Sequence, residues 1–172
     1  MVKQMAWIER RFDGELPASL FPSLLERLRG TPARLEERVR GLSPEALQRR
    51  EGDTWSIQET AGHLLSVERL WHGRLDDYDA GAAVLRAADM ENRATKSAGY
   101  GERPLDEILA EFRESRTRLV ARMERLDRAA IERTARHPRL DRPMRVIDMV
   151  VFAAEHDDHH LARISELMGG AR

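Results

Sequence analysis

The chain is 172 residues long, room for one domain with one core and little more. Acidic and basic residues nearly cancel, 30 against 29, so no bulk charge points to nucleic acid or to a membrane surface. There is no cysteine, which excludes disulfides, thiolate metal ligands and a cysteine nucleophile together. Nearly all basic residues are Arg, and they mostly alternate with Glu and Asp, as in Leu24-Leu25-Glu26-Arg27-Leu28-Arg29. That pattern reads as a solvated helix face laced with ion pairs. No apolar run approaches the roughly 18 residues of a membrane span, and Met1 to Asp13 lacks a signal-peptide core, so the cytoplasm is the default location.

Met1 to Pro17 has no clear period. Trp7, Ile8, Phe12 and Leu16 are spaced to pack on a core, so an ordered extended arm with a turn at Gly14 is expected. From Ser19 the period becomes helical. Gly30 followed by Thr31-Pro32 reads as a stop and a restart, with Thr31 as N-cap and Pro32 at the first helical position, so a break or kink is expected there. Ser43-Pro44-Glu45 repeats the start signal for a short helix through about Gln48. Ser56-Ile57-Gln58-Glu59 matches a capping box, and the helix it opens reaches about Tyr78. Asp79 to Arg103 has helical propensity over Ala82–Asn92 but only a weak stripe. Pro104 opens a further helix that should end near Arg128. Arg133 to Met144, with His137-Pro138 and Arg142-Pro143, reads as a long connection with His137 on the surface. The last helix runs from about Arg145 to Met168 and stops at Gly169-Gly170. No stretch alternates with period two for long, so no sheet is expected. The fold class is therefore all-α. It is a single-domain four-helix bundle over residues 1–172, with a long crossover between the second and third long helices, an N-terminal arm (1–18) and short extra helices.

The last helix contains Glu155-His156-Asp157-Asp158-His159-His160, three of the six histidines in five residues. Positions four apart on a helix are offset by only about 40° and about 6 Å, so His156 and His160 can hold one ion between them. Stepping by threes and fours joins Met149, Ala153, His156, His160, Ile164 and Leu167 into the core-facing stripe. His159 falls on a more polar face and is an alternative ligand. His63, flanked by core residues and by the small Ala61 and Gly62, is the natural third arm from another helix. His72 and His137 fit less well. Three imidazoles with an open position are the pattern of a catalytic rather than a structural metal site. The bland alternative is that each is an ordinary core histidine. Asp157 could orient an imidazole, while Asp158 reads as solvent-facing. Glu59, Asp157 and His159 are candidates for a general base.

Trp55-Ser56-Ile57-Gln58-Glu59 leading to Gly62-His63-Leu64 resembles the DinB-like (DinB/YfiT) family. So do the closing Glu155-His156-Asp157-Asp158-His159-His160-Leu161 and the N-terminal Glu26-Arg27-Leu28-Arg29-Gly30-Thr31-Pro32. The resemblance covers most of the chain outside the crossover. It implies an up-up-down-down bundle and a divalent metal held by three histidines at His63, His156 and His160. It also implies a homodimer and the chemistries of that family, namely thiol-dependent S-transfer, a mycothiol-dependent isomerisation and metal-dependent hydrolysis.

The expected cofactor is then one divalent transition metal per chain. Nitrogen ligands suit zinc, nickel, iron, copper or manganese and do not choose between them. With no cysteine in the chain, the nucleophile is water or an external low-molecular-weight thiol, and the partner is a small-molecule substrate. A non-catalytic metal- or small-molecule-binding stress-response module is the competing reading.

Overall fold

The computed structural model describes residues 4–12 and 16–169. In chain order the helices are α1 (Phe21–Val39), α2 (Pro44–Gln48), α3 (Ile57–Asp79), α4 (Arg93–Ser97), α5 (Leu105–Met123), α6 (Arg128–Ile131) and α7 (Val146–Gly169). The four long ones, α1, α3, α5 and α7, form the bundle. Ser43 caps α2 as expected, and the box at Ser56 is complete: its hydroxyl accepts from Glu59 N and the Glu59 carboxylate accepts from Ser56 N.

Cross-helix pairs set the directions. Arg27 meets Asp158 and Arg38 meets Ser165, so α1 and α7 run parallel. Arg29 meets Glu124 and Glu36 meets Arg113, so α1 and α5 are antiparallel. Arg116 meets Glu68 and Arg122 meets Asp79, so α3 and α5 are parallel. The order is therefore up-down-down-up, not up-up-down-down. Only α3 and α5 are consecutive and parallel, and one long crossover is all that such a pair needs.

Several expectations are corrected. Helix α1 is unbroken through Pro32. A proline inside a helix has no N–H for the carbonyl four residues back. Here that carbonyl, Leu28 O, accepts from Arg116 Nη1 at 3.1 Å instead, so the helix continues. Thr31 is not a cap; its hydroxyl donates to Asp157 Oδ2 at 2.8 Å. The connection after α6 holds an antiparallel hairpin, β1 (Thr134–His137) with β2 (Arg142–Arg145), in register with Ala135 opposite Met144. Crossover residues lie along it: Arg136 N donates to Ala83 O and Leu85 N to Arg136 O. The crossover itself is not helical over residues 82–92. In the arm, Trp7, Phe12 and Leu16 pack on the core, but Ile8 stays 63% exposed because the chain makes a one-turn 3-10 helix at Trp7–Glu9. The turn expected at Gly14 and the stop at Gly170 lie outside the described residues.

The core is in two parts. One gathers Phe21 to Leu28, Trp71 to Tyr78, Leu119 to Met123 and Val146 to Ala154; the other gathers Leu35, Leu64, Phe112 and Leu161 with their neighbours. Between them lies one polar layer, with a residue from each long helix: Thr31, Glu68, Arg116 and Asp157, all buried. Arg116 donates to Glu68 Oε1 at 2.6 Å and to Asp157 Oδ2 at 2.5 Å. Burial alone would lower the Arg116 pKa, but the two carboxylates outweigh it and raise it. The layer ties all four helices at one height and thereby sets the rotation of α7.

Candidate metal centre

With Asp157 locked onto Arg116, its neighbour His156 and the next turn's His160 face α3. His63 meets them from the second turn of α3. His63 Nε2 lies 3.3 Å from His156 Nε2, and His160 Nε2 lies 3.2 Å from the same atom. All three ligand atoms fall within 4.8 Å of one another. An ion bonded at about 2.0–2.1 Å to each nitrogen, at tetrahedral angles, separates them by about 3.3 Å. The spacing therefore fits a shared cation.

The electrostatics agree. Burial, the largest effect, pushes His63 down to about 4, with Asp89 opposing and His159 reinforcing the shift. Burial likewise holds His156 and His160 well below the usual imidazole range, helped by the neighbouring rings. The three rings are thus neutral near pH ~7, as nitrogen ligation requires. Thr95 Oγ1 sits 3.1 Å from His63 Nδ1. When Nδ1–H donates to that hydroxyl, the Nε2 lone pair is left facing the other two rings. Among the described residues the buried His156 Nδ1 has no partner.

A cavity of about 480 Å³ opens beside the triad and is lined by all three histidines. Trp7, Trp55 and Trp71, every tryptophan in the chain, also line it. The Trp55 ring centroid is 4.6 Å from that of His63, and the Trp7 and Trp71 rings lie 5.1 and 5.9 Å from that of His156. These apolar walls limit water and strengthen any electrostatic interaction inside.

The other sequence candidates are placed elsewhere. His159 is outside the triad: its ring packs 5.8 Å from Trp7, and its carbonyl accepts from Gln4. Asp157 touches Arg116 and Thr31 rather than an imidazole. Asp158 is not a free solvent charge but bridges Arg27 and Arg34 at 2.5 and 2.6 Å. Glu59 is held by its capping box and by Arg50. His72 bonds the Ser115 carbonyl on another face of α3. His137 corrects the surface expectation: it is 2% exposed, with its ring 5.6 Å from Phe152. The Tyr100 ring packs against Gly62, 2.1 Å from where a Cβ would sit. Sequence reasoning missed Thr95, which comes from the crossover. The only local signal was the Asp89…Asn92 turn, where Asp89 Oδ2 accepts from Ala94 N at 2.9 Å.

A mostly helical four-helix bundle with a largely buried three-histidine cluster beside an aromatic cavity is the class that fold and site define. The family model of the DinB superfamily matches residues 27–164, and the chain belongs to that superfamily. Among solved structures it is similar to YfiT from Bacillus subtilis, described as a probable metal-dependent hydrolase with an unusual four-helix bundle topology. That match has 19% identity and a TM-score of 0.82 over 92% of this chain and 91% of that one. It is also similar to a mycothiol-dependent maleylpyruvate isomerase (13% identity, TM-score 0.66), covering 86% of this chain and 60% of that one. A third likeness is to the colibactin self-resistance protein ClbS, solved with double-stranded DNA (15% identity, TM-score 0.65), over 87% and 95% of the two chains. At these identities the likeness is one of fold. Among curated proteins nothing matches. No described helix is long and apolar enough to cross a membrane.

Proposed function

We propose that the protein is a metal-dependent enzyme acting on a small molecule. In this reading His63, His156 and His160 hold one divalent transition metal, and water or an external thiol serves as nucleophile. The observation that supports it best is the convergence of three neutral Nε2 atoms on one point at the wall of a ligand-sized cavity. Three protein ligands leave a coordination position for a reactant. Bound there, such an ion supplies Lewis acidity, lowering the pKa of a water or thiol towards neutrality.

The chain's own groups do the rest. Thr95 holds the tautomer and ring plane of His63. Asp157, through Arg116, keeps α7 turned so that its histidine pair faces α3. The three tryptophans exclude bulk water and bind the apolar body of a substrate. His159 has a buried Nδ1 without a partner among the described residues and a ring 5.2 Å from that of His160. Among the general-base candidates it alone is not committed to an ion pair. Hydrolysis and thiol transfer both fit this arrangement.

Elemental analysis of the purified chain is expected to give about one transition metal per chain. His63→Ala combined with His160→Ala is expected to abolish it. Stoichiometric metal retained by that double variant would sink the site. A panel of esters, amides and thiol-plus-electrophile pairs then separates hydrolase from transferase, and turnover of none of them by metal-loaded protein would favour a binding module.

A further inference from the structure

The cavity has a second polar wall that the metal reading does not use. Arg74, His137 and Arg139 line the same cavity as the triad. Arg74 is 1% exposed, yet among the described residues its Nη1 finds no hydrogen-bond acceptor. Among the described residues its Nε donates to the Arg86 carbonyl at 3.3 Å, and its guanidinium carbon stands 5.7 Å from the Trp71 ring centre. Asp77, one helical turn further along α3, is taken by Arg86 through both carboxylate oxygens. Arg139 Nη2 is likewise buried without an acceptor.

His137 adds a donor of fixed sense. Leu140 N donates to His137 Nδ1 at 3.2 Å, so the neutral ring carries its proton on Nε2, and that atom too has no acceptor. Burial, then Arg74, Arg139 and Arg142, push His137 down to about 4, which keeps it neutral and shows the cationic field it sits in. Burial also lowers Arg74 to about 10, with Tyr78 and Asp77 opposing and Arg139 adding to the shift.

A buried guanidinium with no carboxylate hydrogen-bonded to it is costly, and a donor left unpaired adds to the cost. Three such donors on residues that line one cavity would be satisfied by one acceptor group. We propose that Arg74, Arg139 and His137 bind the carboxylate of an organic acid substrate whose apolar body lies among Trp7, Trp71 and Phe152, its reacting end at the three histidines. Two carboxylate oxygens offer lone pairs enough for three N–H donors, and the planar guanidinium fork matches their geometry. The cavity otherwise has mostly apolar walls, which suits an aryl or alkyl acid. This assignment rests on the proposed function for what happens at the other end, but the binding itself does not require it.

The test is calorimetric titration of the full chain as isolated, with phenylacetate, phenylacetamide and phenyl phosphate as probes. Phenylacetate is expected to bind, and the neutral amide about tenfold more weakly or worse, since a hydrogen bond to a charged group is lost. Arg74→Met is expected to remove that preference while metal content stays at the wild-type level. Arg139→Gln, half-exposed and outside the core, is expected to reduce it and decides the matter should the first variant not fold. An acid bound no better than its amide, a preference untouched by the variants, or phenyl phosphate bound more tightly than phenylacetate would each overturn the proposal. Because metal content is read separately, a chain without metal would overturn the proposed function and leave the acid preference to stand or fall on these variants.

Discussion

Two arginines in this bundle are both 1% exposed, and they are opposites. Arg116 crosses the mid-bundle layer with Glu68 on one side, Asp157 on the other and the Leu28 carbonyl beneath. Arg74 lines the cavity with one weak hydrogen bond and no carboxylate of its own. Burying a charge is tolerated when its partners come with it, so Arg116 is explained by the fold. Among the described residues Arg74 has the Arg86 carbonyl, the Trp71 ring and a more distant Asp77 but no hydrogen-bonded acid, and the proposed organic acid would supply one.

The largest effect should come from breaking the satisfied side. Arg116→Met leaves Glu68 and Asp157 facing each other without a cation, and Leu28 O without a donor opposite Pro32. Removing one partner of such a buried network costs on the order of 3–5 kcal/mol. Urea unfolding should show it. A loss below about 1 kcal/mol would mean the layer is not what ties the helices together, and metal content would then be unaffected as well.

Acid should act on the cavity side. His63 and His137 are both held near about 4 by burial, against ~6.5 in the unfolded chain. Above pH ~6.5 neither state takes up protons at these rings. As pH falls below that, the unfolded chain is protonated first, so stability present above ~6.5 is lost progressively towards about 4. The slope is about 1.4 kcal/mol per pH unit for each ring, and on the order of 3 kcal/mol for His63 over the whole window. The metal-stripped protein should follow this slope in unfolding experiments, and bound metal should flatten it until the metal is released. His63→Gln and His137→Gln should each remove part of the slope; an unchanged slope in both would place the acid sensitivity elsewhere.

A smaller effect belongs to Thr95, which orients His63 without touching the other rings. Thr95→Val keeps the shape and removes the acceptor. Loss of an orienting partner of this kind weakens metal binding about 10–100-fold. Competition with a chelator measures it, and wild-type affinity in the variant would show that the ring is held by packing alone.

How much of this was legible in the sequence follows from what each feature depends on. His156 and His160 could be phased onto the core stripe because helix periodicity is local, and the capping box at Ser56–Glu59 fixed where α3 starts relative to His63. The continuity of α1 could not be read, because the donor that replaces the missing Pro32 N–H comes from Arg116, 88 residues beyond Leu28. His137, next to a proline in a polar stretch, looked exposed; its burial is made by a four-residue strand and by Phe152 from another element. Thr95 depends on the path of the crossover, which carries no strong periodicity. The arginine pattern was read correctly for most of the surface and wrongly for Arg74 and Arg116. Composition along a helix does not reveal whether a charge has an acid waiting for it across the bundle.

The smallest expected change in stability is therefore the most telling. Arg74→Met removes a buried charge that has no partner, and replaces it with an apolar chain of similar reach. Only the bond to the Arg86 carbonyl and the contact with Trp71 are disturbed. Replacing costly buried charge by apolar groups is often neutral or stabilising, so the unfolding free energy should stay within about 1 kcal/mol of wild type or rise. A loss as large as that of Arg116→Met would mean that Arg74 is held by the fold after all, through Asp77 at longer range. Unchanged stability together with a lost preference for the acid would identify a side chain kept for its ligand: burial is common to both arginines, and only the source of the compensating charge differs.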